Sequence, residues 1–175
     1  MSQGWIATDD GRRLHLGHVA GLDSVAVTIV ENGLESESRL PVRQADALLA
    51  YFRMDVPRHE ASYDGFDCYA FVSLLTDSVL KPEDPPFDFE EGALKAGDVV
   101  VVARGPELPH GIRHWALCVG EDVFISKFGR TGDGAQALVE ATDGQAMLSL
   151  YDCDRMLIAR RKADALPWDA ARWPS

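Results

Sequence analysis

Basic residues are scarce in this 175-residue chain: 17 Lys and Arg stand against 28 Asp and Glu, a formal charge of −11 at pH 7. A surface this acidic repels a phosphate backbone, so nucleic-acid binding would need a local basic patch. The basic run Arg160-Arg161-Lys162 is too short to make one, and no nucleic-acid partner is expected. Long apolar stretches are missing too; none approaches the roughly 20 residues of a membrane-spanning helix, so no membrane partner is expected either. Met1 to Arg13 carries an acidic pair ahead of its arginines and no apolar run, unlike a secretory signal. There are only three cysteines, widely spaced, which make neither a disulfide framework nor a paired zinc-finger pattern. Together these absences predict a cytoplasmic protein with reduced thiols.

What is present is ordinary globular composition, 46% hydrophobic and 26% charged, over a length that suits one compact domain spanning residues 1–175. Residues 1–40 read as extended, with β-rich runs at Leu14–Val19 and Val25–Val30 and a turn signal at Glu31-Asn32-Gly33. Pro41 opens a helical pattern in which Ala45, Leu48, Leu49 and Phe52 share a face, and Val56-Pro57 ends it. A second helix runs from Cys68, with Phe71, Val72 and Leu75 on the same face and Asp67 in the N-cap position. Lys81 to Gly92, rich in proline and acid, reads as a solvated loop. Strands are predicted at 98–103, 115–119, 123–126, 137–140 and 156–160, with a short helix at 145–150 and a surface strap at 165–175. Helices followed by a run of strands predict an α+β fold, with helices on one side of a small antiparallel sheet.

Chemistry is suggested by Tyr63-Asp64-Gly65-Phe66-Asp67-Cys68-Tyr69-Ala70-Phe71-Val72, which places a cysteine in the first turn of an amphipathic helix. Free N–H groups and the helix dipole there favour an anion, so a thiol ionises more readily than at its usual pKa of about 8.5. The same cysteine also reads as a small apolar group on a buried helix face. A nucleophilic cysteine needs a base, and His114 begins the strand His114-Trp115-Ala116-Leu117-Cys118-Val119-Gly120.

Taken in order, these segments resemble the NlpC-type cell-wall peptidases, a branch of the papain-like cysteine peptidases. The resemblance covers about Tyr63 to Phe128: a Gly-containing loop and Asp-Cys, then Leu94-Lys95-Ala96-Gly97-Asp98 leading into a strand, then the His-led hairpin with Phe124-Ile125. It implies a papain-like fold with Cys68 as nucleophile, His114 as base, and the Tyr63 hydroxyl and the Cys68 N–H stabilising an oxyanion. It also implies amide-bond cleavage in a peptidoglycan stem peptide through an acyl-enzyme, with a peptide or small amide as substrate and no metal or cofactor. Without an export signal, such an enzyme needs a specialised secretion route or an intracellular substrate.

The pattern departs from the family in three places. Tyr69-Ala70 replace the usual Ser-Gly, and the loop from Tyr63 to Cys68 is short. The family's imidazole-orienting His, Asn or Gln is replaced by Ser126, with Lys127 next. A simple two-residue hairpin puts Lys127 on the His114 face, and a bulge would put Ser126 there instead. A thiol hydrolase is therefore weighed against a related acyltransferase and against a catalytically inactive scaffold used for binding. His110, His114 and Cys118 recur every fourth residue, but on a strand that spacing separates them by about 13 Å, so no metal site is expected.

Overall fold

The computed structural model describes residues 4–7, 13–18, 24–53, 68–76, 87–127 and 139–164. Within them the chain forms β1 (Gly4–Ala7), β2 (Arg13–His18), β3 (Ser24–Glu31), β4 (Leu34–Pro41), α1 (Val42–Arg53) and α2 (Cys68–Thr76). There follow β5 (Phe87–Glu90), β6 (Val99–Ala103), β7 (Ile112–Gly120), β8 (Val123–Lys127), β9 (Val139–Thr142), α3 (Gly144–Leu150) and β10 (Arg155–Arg161).

The strands build two antiparallel sheets, a four-stranded meander β1-β2-β3-β4 and a six-stranded sheet β5-β10-β6-β7-β8-β9. This corrects the α+β, papain-like expectation: the described residues are mostly β, with three short helices, and the helices are not gathered on one side of one sheet. The helical periodicities were real, but the N-terminal strands form a sheet of their own rather than an appendage.

Local chemistry explains the meander's tightest joint. Asn32 and Gly33 both have positive φ, 51° and 80°, and they link Glu31 to its partner Leu34. A two-residue hairpin of this kind needs left-handed backbone at both central positions, which Asn-Gly supplies with least strain. Alternation then sorts β3: Val25, Val27 and Ile29 are buried, while Ser24, Ala26 and Thr28 are half-exposed.

In the six-stranded sheet every residue of β6, Val99-Val100-Val101-Val102-Ala103, is buried, the signature of a strand covered on both faces. One face carries Val99, Val101, Trp115, Leu117 and Ile125, and it shares a continuous core with α2, α1 and the inner face of the meander. The opposite face carries Val100, Val102, Ala116, Cys118 and Phe124, packed under Met147 of α3.

The two sheets meet at the end of β7. Cys118 pairs with Phe124 but Gly120 with Val123, so Val119 is an extra, bulged residue. Its carbonyl, out of the ladder, accepts a hydrogen bond from the Ser38 hydroxyl of β4. Gly120 lets the strands approach closely there: a Cβ would stand 2.5 Å from Ile29 Cδ1 of β3, which would have to shift. The expected loop at Lys81–Gly92 contains an edge strand instead: Phe87 to Glu90 pairs with β10. The loop at 59–65, the Asp67 cap and the strap at 165–175 lie outside the described residues.

Candidate functional site

Cys68 opens α2, as the amphipathic spacing predicted, and is 7% exposed. It belongs to the core that joins Phe71, Val72 and Leu75 of its own helix to Trp115 and Leu117 of β7. Its surroundings are thus those of a small apolar side chain on the inner face of a helix.

His114 pairs with Val102 in the β6–β7 ladder. Cross-strand partners face the same way, and Val102 lies in the core layer under α3, as do Ala116 and Cys118 two and four residues on. The imidazole is 1% exposed and stacks on the Tyr151 ring at the end of α3, with centroids 4.2 Å apart and planes 11° from parallel. Burial pushes its pKa down to about 3. The ring is neutral at pH 7 and a weak base, far from the near-neutral pKa that suits a proton shuttle.

Cys68 and His114 therefore belong to different layers, one on each side of the six-stranded sheet. The sequence-derived pairing of this thiol with this imidazole is not formed. A backbone irregularity just before His114 sets its register against β6. Ala103 pairs with Ile112 while Val102 pairs with His114, which leaves Arg113 as a bulge and sets the parity of the residues after it.

The bulge at Val119 settles the hairpin count in favour of Ser126. With Leu117 opposite Ile125, Ser126 falls opposite Ala116 and shares the His114 face. It is diagonal to His114 rather than opposite it, a separation of about 7–8 Å between backbone positions. Its hydroxyl is fully buried and has no hydrogen-bond partner among the described residues, so Ser126 does not orient the imidazole. Lys127 pairs with Val139 on β9, and its side chain lies outside the described residues. Tyr63 lies outside them as well.

The other sequence signals have structural explanations. Gly97 has φ of 93°, and a Cβ there would come 2.9 Å from Pro41 Cδ. The Asp98 carboxylate accepts from the Lys95 N–H at 3.0 Å and from Arg160 Nη1 at 2.6 Å. The Leu94-to-Asp98 motif is thus a turn that launches β6 and ties it to β10. Burial raises the Cys118 thiol to about 11, and its Sγ donates to the Gly120 carbonyl at 3.2 Å. His110 is exposed in the loop before β7, whereas His114 and Cys118 are buried. No three His, Cys, Asp or Glu among the described residues are grouped to hold a metal ion.

One feature that sequence reasoning missed is a cavity of about 270 Å³ between the start of α1, the end of α2 and the β5–β10 edge. Arg43, Gln44, Phe87, Arg160 and Arg161 line it, and its described lining includes none of Cys68, His114 or Ser126. Leu75 and Thr76 reach it from the end of α2 opposite Cys68, about 10 Å along the helix.

Compared with protein-family models, curated proteins and solved structures, the chain has no match. Among the described residues, no helix is long and apolar enough to cross a membrane.

Proposed function

We propose that this chain is a non-catalytic ligand-binding domain rather than a thiol hydrolase. The observation that carries the reading is the placement of Cys68 and His114 in separate core layers, on opposite sides of the six-stranded sheet. Nucleophilic catalysis needs the thiol and the base within hydrogen-bond reach, and a sheet of close-packed side chains stands between these two. The imidazole's depressed pKa acts in the same direction, because it would not retain a proton taken from a thiol. In favour of binding, the arginine-lined cavity is built from residues that take no part in the proposed dyad.

Alkylation with iodoacetamide near neutral pH, followed residue by residue by mass spectrometry, tests this. Cys153, the one thiol of intermediate exposure, should label first, with buried Cys68 and Cys118 slow. The Cys68 rate should be the same in His114→Phe and His114→Gln. Rapid labelling of Cys68, slowed in both variants, would restore the hydrolase.

A further inference from the structure

The head of β10 draws a positive charge partly out of water. Arg155 is half-buried, and its Nε and Nη2 are shielded from solvent with no hydrogen-bond partner among the described residues. These two atoms carry the parallel N–H groups of the guanidinium's side-on fork, the edge that grips a carboxylate bidentately. Burial can neutralise a lysine or a histidine by shifting its pKa, but an arginine stays charged. A fork kept from water and without an acceptor is therefore a cost that a counter-anion would remove.

Strand register defines the surroundings. Arg155 pairs with Ala103 of β6, and Ala103 pairs with Ile112 of β7. The three form a row on one face, with Leu157 two residues along β10 on the same side. Ala103, Ile112 and Leu157 are all buried members of the larger core, so the wall beside the fork is apolar. The acids that precede Arg155 in sequence are engaged elsewhere. Asp154 accepts from the Gly105 N–H at 3.3 Å, and Asp152 accepts from Arg104 Nη1 at 2.5 Å.

These features select a ligand. One guanidinium balances one negative charge, which fits a monocarboxylate and leaves a phosphate dianion half-compensated. The apolar row favours an aliphatic body behind the carboxylate. Neither fork atom touches water, so a flat macromolecular surface cannot reach them, whereas a slender chain can.

We infer that Arg155 anchors a binding site for a small aliphatic monocarboxylic acid. The carboxylate accepts from Nε and Nη2, and the aliphatic chain lies along Ala103, Ile112 and Leu157. The site goes beyond the binding-domain reading, since it names a ligand and lies apart from the cavity near Arg160, about 17 Å further along β10.

Isothermal titration of the full chain with hexanoate, hexanamide, hexylamine and inorganic phosphate, paired with urea unfolding of wild type, R155K and R155M, tests this. Hexanoate should saturate one site. Hexanamide, which has the body without the charge, and phosphate, which has charge without the body, should each bind at least tenfold more weakly. Hexylamine should not bind. R155K, which keeps a charge but not the fork, and R155M should each weaken hexanoate at least tenfold. Without ligand, R155M should unfold at the wild-type urea midpoint or above it, because it removes a buried charge that has no acceptor. Saturating hexanoate should raise the midpoint of wild type and leave that of R155M unchanged. No saturation by hexanoate, equal binding of hexanamide, hexylamine or phosphate, or undiminished binding in either variant would overturn the inference. A lowered midpoint for ligand-free R155M would overturn it too, by showing that the arginine serves stability within this chain. Failure here with Cys68 still slow to alkylate would leave the binding-domain reading standing, whereas fast, His114-dependent alkylation would remove that reading whatever the titrations show.

Discussion

The neutral imidazole buried against Tyr151 makes acid stability a direct probe of the His114 layer. In the unfolded chain this histidine titrates near 6.5, and in the folded protein near 3. A group whose folded pKa is depressed takes up its proton preferentially in the unfolded state, so stability is intact above pH 6.5 and declines as pH falls towards 3. At pH 5 the unfolded state gains a protonation factor of about 30, worth about 2 kcal/mol; below pH 3 the loss levels off at about 5 kcal/mol. With a urea slope of roughly 2 kcal/mol per molar, the wild-type midpoint should fall by about 1 M between pH 8 and pH 5 from this residue alone. The assay is urea unfolding of wild type and His114→Phe at both values. Phenylalanine keeps a ring to stack on Tyr151 and cannot titrate. Subtracting the two profiles cancels every other ionisable group, so the variant should be the less pH-sensitive by about 2 kcal/mol, whatever its absolute stability. Parallel profiles for the two proteins would refute the placement of His114 as a dry, neutral ring, and with it the assignment of faces on β7.

Three further substitutions probe how the sheets and α3 are held. Gly111→Ala should cost about 3 kcal/mol or more in urea unfolding, because the new Cβ would lie 2.6 Å from the backbone oxygens of both Arg104 and Glu107; Gly120→Ala meets only the mobile Cδ1 of Ile29, so it should cost about 1–3 kcal/mol and cost less still once Ile29→Val has removed that methyl. Asp143 caps α3 by accepting from the Ala146 N–H at 2.7 Å, so Asp143→Ala should lower stability by about 1 kcal/mol and speed amide exchange in α3 more than in β3.

Much of the secondary structure was legible because its signals are local. Asn32-Gly33 dictates a hairpin, Cys68, Phe71, Val72 and Leu75 recur at helical spacing, and the valines of β6 announce a strand buried on both sides. Other elements were hidden by their surroundings. Phe87-Asp88-Phe89-Glu90 alternates as an edge strand should, but it follows Pro85-Pro86 in an acidic stretch whose composition signals a loop. The separate N-terminal sheet escaped for a different reason: extended residues show in sequence, while the partners they choose depend on tertiary packing.

The candidate site failed to assemble for one physical reason, parity. Motif order can say which elements carry a thiol and an imidazole, but a side chain on a strand reaches one face or the other according to a count that a single extra residue reverses. Arg113 and Val119 are such residues, and no composition signal marks either. The arginine cavity was invisible for a related reason. Arg43 comes from the first turn of a helix and Arg160 and Arg161 from the end of the last strand, so their meeting depends on β10 crossing the sheet to lie between β5 and β6. The run Arg160-Arg161-Lys162 is too short to be a basic patch as a segment. It acquires chemical weight only when Arg43 arrives from more than a hundred residues away and Asp98 fixes one guanidinium in place.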